Sequence, residues 1–83
     1  MMEEKIREFL LTTPEFSARI SGDIGPDQSL IETGIVDSFG LISLISFLEE
    51  AFEFRVLAED LNQENFETLN TICQFVQKKK MIG

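Results

Sequence analysis

Residues 34–53 read GIVDSFGLISLISFLEEAFE, and this stretch decides the fold. Asp37 and Ser38 are both competent helix N-caps, because a short side-chain oxygen can accept from the free N–H groups of a first turn. Nine of the fourteen residues after Ser38 are apolar, and they recur at spacings of three and four. The run predicts a helix from Ser38 to about Glu53. At about 100° per residue, Leu44, Leu48 and Phe52 share one face with Leu41 and Phe47 beside it, while Ile45 falls away from its centre. So many apolar side chains exceed one core-facing stripe. The helix is therefore either central in the fold or offers apolar surface to a partner. Gly40, Ser43 and Ser46 give it a small-residue face that permits close approach.

Upstream, Met2, Ile6, Phe9 and Leu10 follow helical spacing, with Glu3 and Glu4 at the end where the dipole favours acid. Pro14 can begin one further turn towards Ile20. Residues 21–37, broken by Gly22, Gly25, Pro26 and Gly34, read as a long ordered loop. Such a loop must be pinned to the core, here by Leu30, Ile31, Ile35 and Val36, or be functional. Ser29 and Glu32 match a capping box. Downstream, residues 54–57 read as an apolar connector and residues 58–63 as one helical turn. Thr68 is placed to cap a last helix, in which Leu69, Ile72, Phe75 and Val76 recur at helical spacing. Lys78, Lys79 and Lys80 near its end oppose the dipole and read as a solvated terminus. The expectation is an all-α fold of three main helices plus one short helix, in a single domain over residues 1–83, with nothing that asks for a sheet.

Charge and missing residue types narrow the function. The chain has 83 residues, enough for one small domain with a thin core. Its net charge is −8, and residues 21–70 hold eleven acids against one base, Arg55. Such a chain is a poor match for nucleic acid or an anionic membrane surface, but its field steers basic partner proteins. No histidine is present, which removes the usual neutral-pH base and the commonest transition-metal ligand. The one cysteine, Cys73, excludes an internal disulfide and reads as a small buried hydrophobe. Glu49 and Glu50 are adjacent on a helix, point about 100° apart and cannot straddle one bond. No apolar run reaches membrane-spanning length and the N-terminus lacks a signal-peptide core. A non-enzymatic, cytoplasmic protein is expected.

Asp37-Ser38 before an apolar helix is by itself no more than a cap. Its surroundings carry more. DQSLIETG at residues 27–34, then Asp37-Ser38-Phe39, then LEEAF at residues 48–52 resembles the acyl carrier protein family. The likeness continues through Asp60-Leu61 and ENFETLN at residues 64–70, and covers about residues 1–80 in length and order. The resemblance implies a four-helix bundle in which a phosphopantetheinyl transferase modifies Ser38 from coenzyme A. It implies that Asp37 helps hold the metal ion used during that transfer, with no metal stably bound. The 4′-phosphopantetheine arm would carry acyl or aminoacyl cargo as a thioester. An adenylating or acyl-transferring enzyme would load it, and a downstream synthase or transferase would unload it. Members of the family usually work as monomers.

The departures point within the family. Fatty-acid carriers usually place one residue between the glycine and Asp-Ser, whereas Ile35 and Val36 make two here. Those carriers also put acids early in the second helix, where this chain has Gly40 and Ser43. GIVDSFG and the Phe66-x-Thr68-x-Asn70-x-Ile72 string look closer to D-alanyl carriers and other stand-alone aminoacyl or biosynthetic carriers. Partner docking is then expected through Phe39, Gly40, Leu41, Ser43, Ile45 and Glu49. A fatty-acid carrier is one alternative. Another is an acidic helical adaptor that keeps the carrier shape and is never loaded, for which Ser38→Ala would cost only a helix cap.

Overall fold

The periodic apolar runs become helices. The computed structural model describes residues 2–82, with α1 at Met2–Thr12, a one-turn α2 at Pro14–Ser17, α3 at Ser38–Phe52 and α4 at Leu69–Ile82. No strand occurs among the described residues. No helix among them is long and apolar enough to cross a membrane. Two 3-10 turns, Ala58–Asp60 and Gln63–Phe66, stand where one helical turn was expected. The break has a local cause. The Asn62 side chain accepts from the Asn65 N–H at 3.0 Å and starts a second turn, while the Asn65 amide donates to the Asp60 carbonyl at 2.8 Å.

Each long helix buries one stripe. Ile6 and Leu10 of α1, Leu44 and Leu48 of α3, and Leu69, Ile72, Phe75 and Val76 of α4 meet in one core, joined by Phe16 and Phe66. The loop over residues 21–37 contributes Ile24, Leu30, Ile35 and Val36 to that core. Ile24 was not expected there, and Ile31, which was, stays half-exposed. The loop is also fastened by polar bonds to the start of α4. Leu30 N–H donates to the Glu67 carbonyl at 2.8 Å, Asn70 N–H to the Pro26 carbonyl at 3.1 Å, and the Asn70 amide to Asp27 at 2.7 Å. The Ser29 hydroxyl bonds to the Glu67 carboxylate. It also accepts from the Glu32 N–H at 3.0 Å, yet no helix grows from that cap. Gly34, at φ 81°, turns the chain out within five residues.

The helix ends are capped in ways the sequence partly announced. Thr68 and Thr71 bond reciprocally, each hydroxyl accepting from the other's N–H, at the start of α4. At the end of α3, Glu53 takes the left-handed conformation (φ 52°) that glycine usually supplies, and its N–H donates to the Glu49 carbonyl. The lysine run is not simply a solvated terminus. Lys80 donates to the Phe52 carbonyl at 2.7 Å, closing the end of α3, and Lys79 pairs with Asp60 at 2.7 Å. Cys73 is half-buried, and burial raises its thiol pKa above the ordinary value.

The Lys79–Asp60 pair ties α4 to the first 3-10 turn with side chains only 22% and 16% exposed. The Lys79 ammonium and the Leu57 N–H hold the Asp60 carboxyl below the ordinary Asp value. A depressed folded-state pKa means that its stabilisation is complete above the unfolded value, about 3.9. It is lost as the pH falls through the lower folded value. Asp60→Asn should therefore flatten part of the acid limb. Thermal midpoints measured from pH 6 to pH 2 should fall less in the variant than in the wild type, and parallel curves would contradict this.

Candidate functional site

The site begins with a cap. Asp37, extended at φ −104° and ψ −171°, precedes α3 and accepts from the Gly40 N–H through Oδ1 at 2.7 Å. Its carbonyl accepts from Leu41 N–H at 2.8 Å. Of the two competent caps, Asp37 takes the role, and Ser38 becomes the first helical residue with its side chain exposed. Its hydroxyl therefore stands at a helix N-terminus, where backbone N–H groups and the dipole favour negative charge.

The second Asp37 oxygen is also engaged. Oδ2 accepts from Arg19 Nη1 at 2.9 Å, and the same nitrogen lies 3.5 Å from the Gly34 carbonyl. The Gly40 N–H and then the Arg19 guanidinium hold the Asp37 carboxyl below its ordinary value. Arg19 reaches this place because Phe16 is buried beneath the first turn of α3. A Cβ at position 40 would lie 2.8 Å from Phe16 Cε1, so only glycine admits the ring.

Beside Ser38 opens a cleft of about 400 Å³. Ile31, Val36, Leu41 and Leu61 form its apolar wall, and Asn62 and Gln63 supply amides. A larger cavity of about 650 Å³ lies between the 3-10 turns and α4, but its Asp60 and Lys79 neutralise one another. Among the described residues, no three His, Cys, Asp or Glu side chains gather as a metal site.

The expected docking residues differ in exposure. Phe39 is 78% exposed and stands free on α3. Leu41 and Ile45 are half-buried and pack against the core, while Ser43 is half-exposed. Gly40 is a correction. It is buried against the Phe16 ring beneath it and offers no surface to a partner. Glu49 is likewise partly occupied, since its carboxylate accepts from Val56 N–H at 2.8 Å and fastens the connector after α3. Ile42, 63% exposed, was missed, although it lies one turn beyond Phe39 and Ser38 on the solvent side. Leu61, 54% exposed at the cleft rim, was also missed. So was Arg19, whose contact with Asp37 spans eighteen residues and has no local signal.

Comparison with known proteins bears on the family and the fold. Residues 17–76 match the family described as phosphopantetheine attachment site. The D-alanyl carrier protein of Lactococcus lactis subsp. lactis (strain IL1403) is 35% identical over 82 residues, which is 95% of this chain and 96% of the relative. That of Streptococcus uberis (strain ATCC BAA-854 / 0140J) is 35% identical over 52 residues, 63% of this chain and 66% of the relative. One similar solved chain belongs to the crystal structure of Bradyrhizobium japonicum glycine:carrier protein ligase complexed with cognate carrier protein and an analogue of glycyl adenylate. It gives a TM-score of 0.65 at 18% identity, covering 98% of this chain and 92% of that one. Another, in the crystal structure of an FAD-dependent dehydrogenase, gives 0.72 at 20% identity, covering 86% and 97%. At such identities these structures speak to the fold alone, and the expected all-α carrier fold is the fold observed.

Proposed function

The chain belongs to the phosphopantetheine attachment site family, and from that premise we propose that it holds D-alanine as a thioester on an arm attached to Ser38. The covalent cofactor is 4′-phosphopantetheine. The observation that carries the site is the exposed Ser38 hydroxyl, first in α3, behind an Asp37 cap and at the mouth of a cleft. The surroundings suit the group. The helix start accommodates a phosphodiester, and an apolar wall with amides at its rim matches a chain of alternating methylenes and amides. On attachment, Ser38 Oγ forms the new bond to phosphorus, adenosine 3′,5′-bisphosphate leaves coenzyme A, and the hydroxyl loses its proton. The arm supplies a thiol for the cargo. Everything else this chain does is positioning.

D-alanine is favoured because the D-alanyl carrier protein of Lactococcus lactis matches this chain almost end to end. The partners are then a phosphopantetheinyl transferase, a D-alanine-adenylating ligase and an acceptor-side transferase. Asp37 would lend a carboxylate oxygen to the cation of arm transfer, and residues 1–83 would act as one monomeric, non-catalytic domain in the cytoplasm. Presenting a tethered substrate raises its effective concentration for each partner. Ser38, Phe39 and Ile42 form the exposed face nearest the attachment point, with Leu41, Ser43 and Ile45 on its flank, and within α3 itself the first acid is Glu49.

The test uses intact mass. Protein first given its arm is incubated with ATP, D-alanine and a D-alanine-adenylating ligase. One alanyl group should be gained and then released by hydroxylamine, as a thioester requires. An arm-bearing protein that accepts other amino acids but not D-alanine would overturn the cargo. In the same assay Ile42→Asp should lower the ligase kcat/KM by about tenfold, the size of one buried interface anchor. The variant should still melt like the wild type because Ile42 is exposed. An unchanged kcat/KM would remove Ile42 from the docking face.

A further inference from the structure

Attaching a phosphodiester to Ser38 puts a second negative charge beside Asp37. The chain already carries −8, and residues 21–70 are eleven acids to one base. Two anions on adjacent residues repel unless something compensates them. Among the described residues, the base that the fold brings to this end of α3 is Arg19. It is placed there rather than drifting there. Phe16 is locked beneath Gly40, and Arg19 N–H donates to the Phe16 carbonyl at 2.9 Å. The guanidinium then touches Asp37 and Gly34, which line the same cleft as Ser38. Both contacts use Nη1, whereas a guanidinium carries five donors. The side chain is 43% exposed and so remains accessible to an anion on the next residue.

We propose that Arg19 is a positioning residue for the attached arm, its guanidinium bridging the Asp37 carboxylate and the phosphodiester on Ser38. A planar fork with several donors can serve two anions together, which a single ammonium does less well. Loading then adds an anion to the start of α3 without destabilising the fold, and the root of the arm is held while its thiol end stays free. The proposal rests on Ser38 as the attachment residue.

The experiment compares wild type and Arg19→Gln, each with and without the arm, by thermal unfolding. In the wild type, loading should leave the midpoint unchanged or raise it. In Arg19→Gln, loading should lower it by about 2–5 °C, the span of one exposed ion pair in a domain this size. That drop should vanish in about 1 M salt, where charges are screened beyond roughly 3 Å. Arg19→Lys should recover part of the difference. A purely structural Arg19 would lower the loaded and unloaded variant equally, so equal loading shifts in wild type and Arg19→Gln overturn the proposal alone. A drop that salt does not relieve overturns it too. An arm mapped to a residue other than Ser38 overturns the attachment reading and this proposal together.

Discussion

Ser38→Ala should take up no arm at all and should fold as the wild type does. The first half follows because the new bond forms on Ser38 Oγ and alanine has no such atom. The second half follows from the cap. Asp37 holds the Gly40 N–H at 2.7 Å, so Ser38 spends no side-chain bond on starting α3. An exposed first-turn substitution that leaves the cap intact shifts stability by no more than about 0.5 kcal/mol, and alanine is the best helix former. Intact mass after incubation with coenzyme A and a permissive transferase reads the first half, and helical circular dichroism on melting reads the second. A Ser38→Ala protein that still gains the arm would place attachment elsewhere.

Phe16→Ala should be among the substitutions most damaging to the fold. Phe16 is fully buried, stands 5.6 Å from Phe9 between ring centroids, and fills the space left by Gly40. Removing a buried phenyl costs about 3–5 kcal/mol through lost transfer energy and the remaining cavity. A chain of this size has only about 4–12 kcal/mol of stability in total. The urea midpoint should fall by roughly 3–5 M if the slope is near 1 kcal/mol per molar, or the variant should be unfolded from the start. The effect reaches the site as well, because the ring fixes the segment that carries Arg19. A loss below about 1 kcal/mol would show that the α2–α3 contact does not hold the first turn in place.

The parts of this structure that were legible in the sequence are those where one segment decides its own conformation. The apolar spacing in α1, α3 and α4 gave each helix and its buried stripe, and Thr68 began α4 as its position suggested. Ser38 stands out as the candidate through the order of the surrounding motifs, since Asp-Ser alone means only a cap. What stayed hidden depended on contacts between distant segments. Gly40 reads as a partner-docking position in the sequence because nothing in α3 announces a phenyl ring from residue 16 beneath it. Lys79 and Lys80 read as solvated because their partners, Asp60 and the Phe52 carbonyl, lie nineteen and twenty-eight residues away. Arg19 escaped notice for the same reason. Ile42 is different. Its exposure is legible from the helical arc centred opposite Leu44, on which Ile42 lies.

Site-mapped mass spectrometry of the wild-type protein tests the central claim most directly. The folded protein is incubated with coenzyme A and a phosphopantetheinyl transferase, weighed intact, then digested and fragmented. A gain of one phosphopantetheine, located on the peptide that contains Ser38, is the predicted result. A folded protein that gains nothing while a control carrier in the same tube is modified, or an arm found on any other peptide, would contradict it.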